Sequence, residues 1–420
     1  MKVLITTFGT RGDIQPFVAL GKGLKAAGHD VAICTSDGFQ SFVEEHDVPY
    51  VFMDNELLRL SQAALGETGG IGDTLSIIRK MVPAIRRSMD DEWNAAFTLQ
   101  PDLIIYHPKC LGSYHVAEKL QISAMMSLPL PFYTPTREFP VPFFSNIQLG
   151  RWFNHFSYQF IGLSAAMYGR TINDFRVKTL GLPPLGRFPD LLTRSDGSPI
   201  PILYPYSAHV LPVPKDFPPH VHVTGYWFLD HAAEWRPEPD LVRFLEAGTM
   251  PVYVGFGSVG GRKSEKRTRI ILDALEKSGQ RGLLASGWGG LKAADLPANV
   301  FMIESVPHDW LFPWVAAVVH HGGAGTTAAG LRAGKPAIIC PFMADQPFWG
   351  KLLYQLGAGT KPIPQRRLTA GGLAQAITTA VQDEMMKRRA VELGEKIRAE
   401  DGVAHAVEVI GAAVGEPVSN

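Results

Sequence analysis

One pattern occurs twice in this 420-residue chain: an apolar run of strand length, a glycine loop, and an amphipathic stretch of helix length. The first copy reads "KVLITTF", then a glycine-punctuated turn, then "IQPFVALGKGLKAAGHD", with the apolar "VAICTS" behind it. The second begins at Pro251 with "PVYVGFGS" and continues through "EKRTRIILDALEKSG" to "RGLLASGWGG". Strand–helix–strand alternation of this kind closes as a parallel sheet with helices on its faces. "PDLIIYHP" and "QISAMMSLPLP" extend the first series, and "VFMIESV", "AAVVHHGG" and "PAIICPF" extend the second. Prolines cluster between Leu211 and Pro239, where the alternation pauses. The chain is therefore expected to be α/β, with two Rossmann-like domains, residues 1–225 and 226–420, facing one cleft.

Composition narrows the function. Lysine plus arginine and aspartate plus glutamate number 40 each, so no net field attracts nucleic acid or an anionic membrane. Three cysteines, Cys34, Cys110 and Cys340, are too dispersed for a disulfide framework or a zinc site and suit a reducing cytosol. "MKVLITTFG" is short for a signal peptide and reads as a buried first strand. With no apolar stretch of about 18 residues, no membrane span is expected, while docking on a membrane surface stays open. A cytoplasmic protein is the expectation.

Three glycine loops fall where strands turn into helices, the ligand edge of a doubly wound sheet. In "FGTRGDIQPF", Asp13 is either the N-cap of the next helix, with Pro16 in its first turn, or a chemical group. In "GFGSVGG", amides and the Ser258 hydroxyl either meet a phosphate or make a plain turn. The third loop belongs to "HHGGAGTTAAGLRAGKPAIICPFMADQPFW", which starts at His320. Adjacent strand residues point oppositely, so only one of His320 and His321 faces a ligand. Free amides at the helix start, a positive dipole end, Thr326 and an imidazole make an anion site. The next strand ends at Asp345 and Gln346, a carboxylate and an amide suited to vicinal hydroxyls. Together they describe a sugar carried on a phosphate.

These residues resemble the donor signature of family 1 glycosyltransferases of the GT-B fold. "GTRGDIQPFVALGKGLKAAGHDV" and "TGYWFLD" are similar to the sterol glucosyltransferases, and glycopeptide-antibiotic glycosyltransferases share much of the pattern. The resemblance implies a nucleotide diphosphate sugar, UDP-glucose foremost, bound by the C-terminal domain without any other cofactor or metal. His321 would hold the diphosphate with Ser258, Thr326 and the amides of Gly323, Ala324 and Gly325; Asp345 and Gln346 would hold the sugar; main-chain groups near Val306 would read the base. The last helix would cross back onto the N-terminal domain. Two positions depart from the plant pattern: Ala329 replaces a ribose-binding glutamate, and Ser305 replaces a base-stacking tryptophan, for which Trp288 is a candidate substitute.

The resemblance also implies that Asp13 occupies the place of the catalytic base in a single inverting displacement. The acceptor it implies is lipophilic, such as a sterol. "MVPAIRRSM" and the aromatic segment Phe132–Phe160 are either a pocket wall or a self-packed insert. Natural-product or glycolipid acceptors, a sugar-nucleotide epimerase, a dinucleotide reductase and a non-catalytic donor-binding module are the competing readings. His29, His46 and His115 read as surface or packing residues.

Overall fold

The computed structural model describes residues 1–66, 71–186, 190, 192–233, 235–256, 264–285 and 296–415. The first sheet holds β1 (Lys2–Thr6), β2 (Asp30–Ser36), β3 (Tyr50–Met53), β4 (Leu103–Tyr106), β5 (Ser123–Ser127), β6 (Ile202–Tyr204) and β7 (Val221–Val223), in the order β3-β2-β1-β4-β5-β6-β7. The second holds β8 (Val252–Gly255), β9 (Gly282–Ala285), β10 (Val300–Ile303), β11 (Ala317–His320) and β12 (Ala337–Ile339), in the order β10-β9-β8-β11-β12. All pairings within both sheets are parallel. Each order reverses direction beside its first strand, between β1 and β4 and between β8 and β11. Loops leaving the carboxyl ends there open a crevice that no crossover helix fills.

The first helix, Arg11–Ala26, buries Ile14, Phe17, Val18 and Leu24 against the first sheet, the spacing of one helical face. Its N-cap is Thr10, so Asp13 is not the cap. It stands at the third helical position and reaches back to the Thr10 amide at 2.8 Å, the inner arm of a capping box. Pro16 accordingly lies in the second turn, beyond the first-turn position expected for it.

The basic tail folds as two helices, Glu384–Arg398 and Gly402–Val414, with Asp401 capping the second through the Ala404 amide at 2.9 Å. That final helix lies on the first one. Ala406 and Ile410 are fully buried in one cluster with Ile14 and Val18. Gly23 has no room for a side chain, because an added Cβ would stand 2.3 Å from Val403 Cγ1. The chain thus returns from the second sheet to the first domain. Elsewhere the halves are tied by Lys351 Nζ, which donates to the Ser145 carbonyl at 2.8 Å, and by Ser207 Oγ, which donates to Glu400 Oε1 at 2.9 Å. Among the described residues no helix is long and apolar enough to cross a membrane.

Candidate active site

Asp13 sits at the switch point of the first sheet. Gly9, at φ +141°, bends the chain over it, and an added Cβ there would lie 2.2 Å from Asp13 Oδ2. That oxygen accepts from the Thr10 amide at 2.8 Å and the Thr10 hydroxyl at 3.1 Å. Oδ1 accepts from Lys109 Nζ at 2.7 Å and stands 3.7 Å from His107 Nε2. His107 and Lys109 follow β4 directly, and β4 is the neighbour of β1, so sheet order alone brings them to Asp13. His107 Nδ1 accepts from the Lys109 amide at 3.1 Å, which leaves the ring proton on Nε2, facing the carboxylate. Burial pushes this imidazole down to about 3, so it is neutral at physiological pH. Burial alone would raise the Asp13 carboxyl; Lys109, His107 and the Thr10 amide more than offset it and hold the group below its ordinary value.

A cavity of about 560 Å³ opens beside this carboxylate, within the usual range of about 300–1,000 Å³ for small-molecule sites. Phe8, Tyr106 and Lys109 form its end nearest Asp13, while Met81, Ile85 and Tyr168 supply apolar wall. Of the aromatic segment Phe132–Phe160, Tyr133 alone contributes to the lining. Val141, Tyr158 and Ile161 instead bury one another as a separate small core. His115 lines the cavity and receives a hydrogen bond from Arg176 at 2.9 Å, and Arg176 also pairs with Glu118. Glu118 is held down at about 2 by His115 and, against its partial burial, by Arg176. One end of the cavity is therefore polar. His46 packs on Phe42 and His231, at ring separations of 5.2 and 4.4 Å.

Across the cleft, β11 delivers the two histidines. His320 is fully buried and its Nδ1 accepts from the Gly322 amide at 3.1 Å. His321 is half-buried with Nδ1 unpartnered, and burial lowers its pKa. Gly322, at φ +93°, makes the turn: an added Cβ would meet Ile339 Cγ2 at 2.8 Å and the Gln346 carbonyl at 3.1 Å. The helix Ala324–Arg332 then starts from Gly323 with no side-chain cap. Its first amides, from Ala324, the exposed Gly325 and the half-buried Thr326, face outward for an anion.

Asp345 and Gln346 begin the helix Gln346–Gln355 beside that loop. Asp345 Oδ2 accepts from Trp349 Nε1 at 3.0 Å, and Gln346 Oε1 accepts from the Phe342 and Met343 amides at 2.6 and 3.1 Å. What remains for a ligand is one carboxylate oxygen and one amide NH₂, an acceptor beside a donor. Burial raises the Asp345 carboxyl, and Asp13 across the cleft adds to the rise. Val306 packs partly buried beside Leu311 and Phe312 in the loop after β10. Ser258 and Trp288 lie outside the described residues. His107 and Lys109 were not singled out from the sequence; the signal was their position one loop beyond "LIIY", once that run is placed next to β1.

Residues 3–139 match the glycosyltransferase family 28 N-terminal domain, and residues 289–412 match the C-terminal domain of erythromycin biosynthesis protein CIII-like proteins. A sterol 3-beta-glucosyltransferase of Arabidopsis thaliana is 39% identical over 97% of this chain and 67% of its own length. A sterol 3-beta-glucosyltransferase of Emericella nidulans is 35% identical over 98% of this chain and 30% of its own. The chain thus spans about two thirds of the plant relative and under a third of the fungal one. Among solved structures, spinosyn forosaminyltransferase SpnP superposes with a TM-score of 0.70 at 18% identity, covering 99% of this chain and 100% of that one. The glycosyltransferase VinC in complex with dTDP gives 0.67 at 21%, covering 98% and 99%. The fold is GT-B, and the chain belongs to the glycosyltransferase family that contains the sterol 3-beta-glucosyltransferases.

Proposed function

We propose that this protein transfers a hexose, glucose foremost, from a nucleotide diphosphate sugar to the hydroxyl of a lipophilic acceptor, a sterol foremost. One observation carries the reading: a buried-edge carboxylate, Asp13, stands at the mouth of a largely apolar cavity and faces an uncapped helix start across the cleft. The acceptor occupies the cavity with its hydroxyl toward Asp13. The carboxylate takes the hydroxyl proton while the oxygen bonds to the anomeric carbon and the bond from that carbon to the diphosphate oxygen breaks. Attack from the face opposite the leaving group inverts the centre. The departing negative charge falls to the amides of Gly323, Ala324, Gly325 and Thr326, the Thr326 hydroxyl and His321, preorganised donors that need no rearrangement as charge develops. Asp345 and Gln346 hold sugar hydroxyls, and Ser258 and the chain near Val306 complete the donor site. UDP is the favoured nucleotide, and the protein works in the cytoplasm, meeting its acceptor at a membrane surface.

The test is turnover by the purified full chain with UDP-glucose against sterols, flavonoids and macrolides, with products identified by mass. A steryl glucoside with nucleotide release only when acceptor is present is expected. Failure on every sterol would reject the acceptor class. Release of nucleotide without acceptor would favour epimerisation over transfer.

A further inference from the structure

The segment from Leu149 to Met167 exposes apolar side chains that neither core of its domain uses. Leu149 is 69% exposed, Trp152 75% and Met167 76%, and Phe156 and Leu163 are exposed beside them. Trp152 and Phe156 are one helical turn apart on the helix Gly150–Ser157, and their rings stack at 5.1 Å within 6° of parallel. The opposite side of this helix pair, Ser157, Tyr158 and Ile161, is buried against Val141. Folding therefore requires the inner residues and not the outer ones, and an apolar patch of this size on a water-facing surface marks a contact site.

Two further observations select the contact. Beside Trp152 lies a hollow bordered by three cations, Arg137, Arg151 and Lys215, against two carboxylates, Glu138 and Asp216. Its two carboxylates are engaged in backbone bonds: Glu138 Oε1 accepts from the Lys215 amide at 3.0 Å and Asp216 Oδ2 from the Arg137 amide at 2.8 Å. An aromatic platform edged by cations fits a bilayer interface carrying anionic headgroups. The patch is also continuous with the acceptor cavity. On the helix Gln159–Ala166, Leu163 faces out while Ser164 and Ala165 line the cavity, and Tyr168 follows them there.

We propose that Leu149, Trp152, Phe156, Leu163 and Met167 form an interfacial docking face that seats the protein on anionic membranes and opens the acceptor cavity to lipid. This rests on the reading above that the acceptor is lipophilic, since such an acceptor is scarce in water and concentrated in bilayers.

The experiment compares the full chain with a Trp152→Ser, Phe156→Ser, Leu163→Ser variant, whose near-wild-type melting is checked first. Vesicles of phosphatidylcholine, with and without phosphatidylserine, carry sitosterol; a second arm supplies sitosterol on cyclodextrin. The triple variant is expected to lose roughly 10–100-fold in vesicle binding, the effect of removing large apolar anchors. Glucosylation of vesicle-borne sterol should fall in parallel, with cyclodextrin-borne sterol turned over at the wild-type rate. Arg151→Gln with Lys215→Gln should weaken binding to phosphatidylserine vesicles alone, by roughly fivefold or more. Equal vesicle binding by wild type and triple variant overturns the proposal, as does a wild-type dimer by light scattering that the variant abolishes while keeping vesicle binding. Loss of vesicle binding in the variant, with no sterol turnover by wild type in either arm, keeps the docking face and removes the sterol reading.

Discussion

Glu92 lies beneath the catalytic loops, on the helix Ile71–Leu99, and only 1% of it is exposed. Its Oε2 accepts from Ser113 Oγ at 2.6 Å, and that hydroxyl is 2.6 Å from Thr6 Oγ1 at the end of β1. Oε1 has no partner. Burial pushes the carboxyl from 4.5 up to about 8. Across that window the native state holds a proton that the unfolded chain has released, so stability falls as pH rises, by ~1.4 kcal/mol per unit. Over 8 minus 4.5, or 3.5 units, about 5 kcal/mol present at low pH is lost by pH 8 and above. Glu92→Gln keeps the shape and the acceptor for Ser113 but has no proton to lose. Its NH₂ falls at the partnerless Oε1 position and leaves both N–H groups unpaired, an offset of about 1–3 kcal/mol for each that does not vary with pH. Urea unfolding of both proteins at several pH values between these limits measures the difference. Variant minus wild type should climb by ~1.4 kcal/mol per unit and level off above about pH 8. Parallel stability curves would refute the buried-proton account.

Asp13→Asn should keep donor affinity and lose at least ~100-fold in turnover, the lower end for a missing general base; near-normal transfer would reject its role. His321→Ala should weaken UDP-glucose binding by calorimetry, and an unchanged affinity would contradict the anion site. Lys109→Gln removes the ammonium that stands 2.7 Å from Asp13 Oδ1, so that carboxyl rises and the acid limb of kcat/KM should move to higher pH; an unmoved limb would separate Lys109 from the chemistry.

Much of this architecture was legible in the chain because the apolar runs are long and the loops carry glycine. β1, β2, β4, β5 and all five strands of the second sheet fall on runs readable as strands. β3, β6 and β7, "YVFM", "ILY" and "VHV", stand close to prolines (Pro49, Pro201, Pro205, Pro218 and Pro219) that read as loop, and are defined by pairing to neighbours. Asp13, His321, Asp345 and Gln346 stand out in the chain because each sits at a strand-to-helix turn. Lys109 and His107 do not, since "HPKC" shows no local pattern and acquires meaning only from the adjacency of β4 to β1. The wall of the acceptor cavity was legible in part. "MVPAIRRSM" supplies Met81 and Ile85 to the lining, whereas the aromatic segment Phe132–Phe160 supplies only Tyr133, and Tyr168 comes from beyond it.

The arrangement divides one reaction between two sheets that could each fold without the other's site. On the proposed mechanism the first switch point supplies a proton acceptor kept ionised by a lysine, and the second supplies free amides for departing charge. A carboxylate poised near a leaving diphosphate would repel it, and the lysine is the local remedy. Lys109 Nζ lies on Asp13 Oδ1, and its charge is felt as far as Asp345 across the cleft. Once the acceptor hydroxyl reaches Asp13, that ammonium must share or yield its place, so acceptor entry and release of the ion pair are one event. Donor binding by the second lobe involves no such exchange. The two affinities should therefore respond to Lys109→Gln in different degree: acceptor KM shifts through the lost exchange, and UDP-glucose affinity falls by less, through charge alone.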